Sequence, residues 1–214
     1  MPHTKTIHWW VESCLADSGD HENPLGSNNT KYGVRFGWNR VSWCCEYGWC
    51  KYDDAGVHLP LKSASCVALY DDAVHRGLHY TSDHCVPGDA VIRTWQGLSR
   101  HAPGFDPAQT HFQMVLRVKV ENGVKYLGLW GGNQGAGYVG PSIEWVRAGD
   151  RTILGGIAYH RLFETTQIPA PAHKKRADRK AGVPAKKSHP ASPQPTPAHK
   201  KHRRPWWFRF LRWW

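Results

Sequence analysis

Between residues 109 and 130 the pattern of side chains leaves the chain little choice but to fold back on itself as a β-hairpin. From Gln109 to Val120, His111, Gln113, Val115, Arg117 and Lys119 alternate with Phe112, Met114, Leu116, Val118 and Val120. A period of two predicts a half-buried strand with His111 on its less apolar face. Asn122-Gly123 supplies two residues tolerant of left-handed backbone, the preferred chemistry of a two-residue hairpin turn, and Val124 to Trp130 returns as the partner. Turn residues Pro87-Gly88-Asp89 introduce a further strand at Ala90 to Trp95. Ile143–Arg147 and Ile157–Phe163 predict two more in one antiparallel sheet.

Upstream of this the rhythm is helical. Residues 4–16 carry Ile7, Trp10, Val11 and Cys14 near helical spacing, and residues 65–77 carry Val67, Leu69, Tyr70, Ala73 and Val74. Asp17 to Asn29 is polar and rich in turn formers, which predicts a loop. Gly33 to Asn39 reads as another loop, leading into a helix that begins at Cys44 and is closed by Gly56. Helices first and strands after predict an α+β body.

The charge is placed very unevenly. Residues 170–214 hold 13 of the 28 Lys/Arg and one of the 17 Asp/Glu, a net of +12, while the other 169 residues carry 15 basic and 16 acidic groups. A nearly neutral body with a basic appendage predicts separate work for the two, the appendage meeting something anionic. Composition also breaks after Thr166. The chain therefore divides into a body (1–166), a Pro/Ala/Lys-rich linker expected to be disordered (167–204) and a Trp/Arg-rich end (205–214). No run of eighteen apolar residues is present, and the start lacks the apolar stretch of a secretory signal, so synthesis in a bacterial cytoplasm is expected. Six cysteines in that compartment predict thiols rather than bridges.

A cysteine in the first turn of a helix faces unpaired backbone N–H groups and the positive end of the helix dipole, both of which favour thiolate. Cys44 is that cysteine. A hydrolase built on it needs a base and a group to orient the base. Among ten histidines in the body, His111 sits inside a well-marked strand, and Asn133 ends the next one. Cys45 and Cys50 read as packed thiols. A metal cluster of Cys44, Cys45 and Cys50 fits no usual zinc spacing, and Asp17, Asp20 and Glu22 follow no calcium-loop pattern, so no metal and no cofactor is expected. Trp38, Trp43, Trp95 and Trp130 suit a substrate groove, with ordinary core packing an equal reading for each.

These residues carry a resemblance. Glu22-x-Pro24-x-Gly26-Ser27-Asn28, then Trp43-Cys44 with Cys50 farther along the same helix, resembles the CHAP domain, the cysteine, histidine-dependent amidohydrolases/peptidases, especially those in endolysins of phages infecting actinobacteria. Pro87-Gly88-Asp89, Thr110-His111 and Gly132-Asn133 follow in the family's order, so the likeness covers roughly residues 5–163. It implies a papain-like α+β fold that cuts amide bonds of bacterial peptidoglycan, with Cys44 as nucleophile, His111 as base and then acid, and Asn133 as the orienting group. Two positions depart from the pattern: Gly131 stands where many members have an acid, and Ser42 where Pro is frequent. A monomer acting on the cell wall is expected. A related family of wall endopeptidases begins on Asp-Cys, which is absent here.

The end, Trp206, Trp207, Phe208, Arg209, Phe210, Leu211, Arg212, Trp213 and Trp214, resembles Trp-rich cationic antimicrobial peptides of the indolicidin and tritrpticin kind. Ten residues make about 15 Å of helix, half a bilayer core, so the segment is expected to lie in an interface rather than cross it. Together with the upstream Lys/Arg clusters it is expected to bind anionic membrane, lipopolysaccharide or teichoic acid through residues 170–214. Basic runs interleaved with aromatics also bind single-stranded nucleic acid, here non-specifically. The competing reading from another class is a non-enzymatic antimicrobial or nucleic-acid-binding protein acting through its tail.

Overall fold

The computed structural model describes residues 5–135 and 137–165, the side chains of 164 and 165 excepted. The expected linker (167–204) and Trp/Arg-rich end (205–214), with Trp206, Trp207, Phe208, Arg209, Phe210, Arg212, Trp213 and Trp214, lie outside these residues. So does a test of their membrane binding. Among the described residues no helix is long and apolar enough to cross a membrane.

The chain is α+β. Four helices come first: α1 (Ile7–Leu15), α2 (Lys31–Phe36), α3 (Cys44–Asp54) and α4 (Cys66–His75). Strands β1 (His79–Tyr80), β2 (Ala90–Thr94), β3 (Thr110–Glu121), β4 (Val124–Trp130), β5 (Glu144–Arg147) and β6 (Ile153–Ile157) follow, and α5 (His160–Thr165) comes last. The strands form one sheet in the order β1-β6-β2-β3-β4-β5, antiparallel at every pairing.

Local chemistry explains most boundaries. The Thr6 hydroxyl accepts from Trp9 N at 3.2 Å to start α1, and the Ser65 hydroxyl accepts from Ala68 N at 3.3 Å to start α4. Asn122 and Gly123 adopt φ of 51° and 75°, the left-handed pair that a tight hairpin requires. The helices cover one face of the sheet. Trp10, Tyr47, Tyr52 and Leu69 pack there with Ile92, Phe112, Met114 and Ile157. The opposite face buries a smaller cluster of Val91, Val115, Leu127 and Leu129. Buried Lys51 ties α3 to the end of α1, donating to Ser13 O at 3.0 Å and pairing with Asp17 at 2.8 Å.

Three expectations are corrected. The stretch Gly33 to Asn39 is not all loop: α2 runs through Gly33, because the Thr30 hydroxyl caps it at 2.9 Å and Gly37 ends it at φ 93°. The last strand lies earlier, at Ile153–Ile157, and the residues after it turn helical. Gly155 and Gly156 serve close approach there, since a Cβ would collide with His79 at the first and Cys85 at the second. Finally, β3 is buried on both faces from His111 to Leu116 and meets solvent beyond that, at Arg117, Val120 and Glu121.

Candidate active site

Helix α3 starts with no side-chain cap. Its first helical bond runs from Tyr47 N to Trp43 O at 2.9 Å, so the N–H groups of Cys44, Cys45 and Glu46 have no carbonyl partner within the helix. Trp43, just before it, is anchored from a distance. Its Nε1 donates to Glu22 Oε1 at 2.9 Å, while Asn28 N donates to Glu22 Oε2, also at 2.9 Å. Tyr32 stacks on the indole at 5.7 Å. The segment from Glu22 to Asn28 is thus a buckle that holds the residue preceding Cys44.

Cys44 opens into a cleft of about 400 Å³ shared with Ser42, Trp95, His111, Asn133 and Glu144. Trp95 stacks over the His111 imidazole, ring centroids 6.0 Å apart and planes 26° apart. The three residues expected to carry chemistry therefore line one cavity. Asn133 reaches it from a left-handed turn at φ 56°, yet none of the hydrogen bonds among the described residues joins it to His111. At Gly131, two residues before it, a Cβ would stand 3.5 Å from His111 Nε2.

The electrostatics single out one sulfur. Hydrogen bonds from the Cys45 and Cys66 thiols, then the charge and hydrogen bonding of His111, hold the Cys44 thiol well below its usual range despite burial that opposes them. The other five move the opposite way. Burial pushes Cys50 and Cys85 up to about 12 and raises Cys14 and Cys45 as well, while hydrogen bonding to Cys44 raises Cys66. No disulfide links any of the six.

Two residues at the site were not anticipated from sequence. Glu144 of β5 accepts from Arg93 Nη1 at 2.5 Å and from Gln113 Nε2 at 3.1 Å. Burial raises its carboxyl, but these bonds, the Arg93 charge and the nearby His111 leave it below its usual value. It is a carboxylate that lines the same cleft as His111. Cys66 is the other, with its sulfur 3.7 Å from that of Cys44 and 3.3 Å from that of Cys45. Cys50, by contrast, points elsewhere and donates to Tyr32 O at 3.7 Å.

Of the four candidate groove tryptophans, Trp95 alone lines this cleft, 55 % exposed. Trp43 and Trp130 are buried in the core, where Trp130 Nε1 donates to Tyr47 Oη at 3.1 Å. Trp38 is exposed but packs edge-on against Phe36, away from the cleft. The acidic residues weighed for calcium do not converge. Asp17 pairs with Lys51, Asp20 with Lys31 at 2.7 Å, and Glu22 holds Trp43. Asp89 of the Pro-Gly-Asp turn is structural. It accepts from Val86 N at 2.7 Å and from His160 Nδ1 at 2.5 Å, and Tyr80 also donates to it.

The fold and site define a thiol–imidazole cleft at the junction of a helix and an antiparallel sheet. No known protein family, no curated protein and no solved structure matches the chain.

Proposed function

We propose that the body is a cysteine-dependent amidohydrolase of the CHAP type, with a papain-like arrangement, that cleaves amide bonds in bacterial peptidoglycan. The observation that carries this reading is a thiol drawn toward thiolate at an uncapped helix start, with an imidazole acting on it in an open cleft. The order of the Glu22–Asn28, Trp43-Cys44, Thr110-His111 and Gly132-Asn133 segments supports the choice of substrate class.

In this reading the Cys44 thiolate adds to the amide carbonyl carbon. The developing oxyanion is received by N–H groups of the first turn of α3. Protonated His111 gives its proton to the leaving amine as the C–N bond breaks, leaving a thioester. His111 then takes a proton from water, whose hydroxide attacks the thioester and releases the carboxylate and the Cys44 thiolate. Glu144 and Trp95 act as positioning residues, the first by charge and the second by stacking on the ring. The strongly basic segment 170–214 brings the body to an anionic envelope.

The test is digestion of purified peptidoglycan followed by mass spectrometry of the fragments. New amino and carboxyl ends in equal number support the reading, and their position tells an amidase from an endopeptidase. Cys44→Ala is expected to lose roughly 10³-fold or more in rate with its circular dichroism unchanged. Release of fragments at the wild-type rate by the folded variant would refute the assignment.

A further inference from the structure

We infer that Cys44, Cys45 and Cys66 form a binding site for one thiophilic divalent cation of the zinc class. Among the described residues this is the one group of three metal-ligating side chains whose donor atoms converge, all three sulfurs lying within 4.8 Å of one another. A tetrahedral zinc with Zn–S of about 2.3 Å holds its sulfurs roughly 3.8 Å apart. Two of the pairs here are at 3.7 and 3.3 Å with no metal bond imposed. Shifts of up to about 1 Å would bring all three pairs to that spacing. Of the three, Cys44 also lines the cleft, and a fourth position is left to solvent, as in sites with three protein ligands.

Charge favours the same occupant. Three thiolates around a divalent ion leave a net of −1. Cys44 is the first residue of α3 and Cys66 the first of α4, helices of 11 and 10 residues. Two positive helix ends, each equivalent to about half a charge, therefore meet at the cluster and offset that net charge. Sequence spacing hides the site, because Cys66 lies 22 residues beyond Cys44 and no short motif joins them.

Metal binding would occupy the Cys44 sulfur that the hydrolase needs, so the bound form would be inactive and the free form active. That consequence rests on the proposed hydrolase, whereas the metal site itself does not.

The experiment uses the full chain, reduced with a phosphine and titrated with cobalt(II). One equivalent is expected to bind, with sulfur-to-cobalt charge-transfer absorption and tetrahedral ligand-field bands, and zinc should displace it. The histidines of residues 170–214 carry no sulfur and do not contribute to that charge-transfer band. Cys45→Ser and Cys66→Ser should each weaken binding roughly 100-fold or more, whereas Cys50→Ser should not. Absence of the thiolate band in the wild-type protein, or undiminished affinity in folded Cys66→Ser, overturns the proposal. Should the serine variants not fold, the cadmium-113 resonance of the wild-type protein decides. A shift typical of three sulfur ligands upholds the site, and one typical of nitrogen and oxygen ligands overturns it. Wall lysis is measured separately, with and without equimolar zinc. Thiolate-bound cobalt in a protein that never cleaves peptidoglycan would leave the metal site standing and remove the hydrolase.

Discussion

Gly48 meets the ring of Phe112 so closely that a Cβ on the glycine would overlap it. Gly48 follows Cys44 by one helical turn in α3, and Phe112 is the residue after His111 in β3. One van der Waals contact therefore gauges the separation of the helix that carries Cys44 from the strand that carries His111. Gly48→Ala is expected to destabilise the fold by about 1–3 kcal/mol through overpacking. It should also lower hydrolysis more than the unfolded fraction accounts for. Urea unfolding and wall-clearing rates, compared well below the melting temperature, check both. Equal stability and rate would mean the helix can ride outward at no cost.

Glu144 lines the same cleft as His111 and acts on it by charge, which makes it a second candidate beside Asn133 for the orienting group of the proposed hydrolase. Glu144→Gln keeps one acceptor oxygen for Arg93, sets an NH2 against the Gln113 amide, and removes the charge that acts on His111. Its kcat is expected to fall about tenfold with KM little changed. Asn133→Ala, lacking any bond to the imidazole, should cost less. The reverse ranking in steady-state kinetics would return the role to Asn133.

Glu46 is fully buried in the first turn of α3, and neither carboxyl oxygen has a hydrogen-bond partner. Burial first, and the negative charge of Cys44 second, push it up to about 7. The fold thus prefers the protonated form. Its contribution to stability is complete below the unfolded value near 4.5 and is lost as pH rises through about 7. Glu46→Gln should be more stable than wild type by ~1–3 kcal/mol at pH 8, with the gap narrowing steadily toward pH 5. Denaturant titrations at several pH values read this directly, and a gap that does not vary with pH would count against it.

Removing residues 170–214 takes away a net of +12. The truncated chain should digest purified peptidoglycan at the rate of the full chain. Against intact cells it should kill roughly tenfold less at low ionic strength, the difference shrinking as salt screens the attraction. Killing curves at two salt concentrations test it, and identical curves would show the segment to be idle.

Local signals carried the hairpin and the helix start. Strict alternation and Asn122-Gly123 left one solution for β3 and β4, and the boundaries of α3 follow from the loop before it and Gly56 after it. Helix α2 was obscured because Gly33 and Gly37 look alike in sequence, although one is packed inside the helix and the other ends it. Tryptophan serves cores and grooves equally well, so the burial of Trp43 and Trp130 beside the exposure of Trp95 is decided by tertiary contacts alone. The convergence of Cys66 and Glu144 on Cys44 and His111 depends on packing and strand order across long stretches of chain. No local pattern encodes that.

Beside His111 Nε2 the chain carries a bare backbone, because residue 131 is glycine. A Cβ there would sit 3.1 Å from Phe112 O and 3.3 Å from Gln113 Cγ, tight but short of collision, and its φ is not left-handed. The scaffold thus keeps a cramped position next to its imidazole, open to a small side chain only. An aspartate there would set a carboxylate against the ring only if β3 gave way by a few tenths of an ångström.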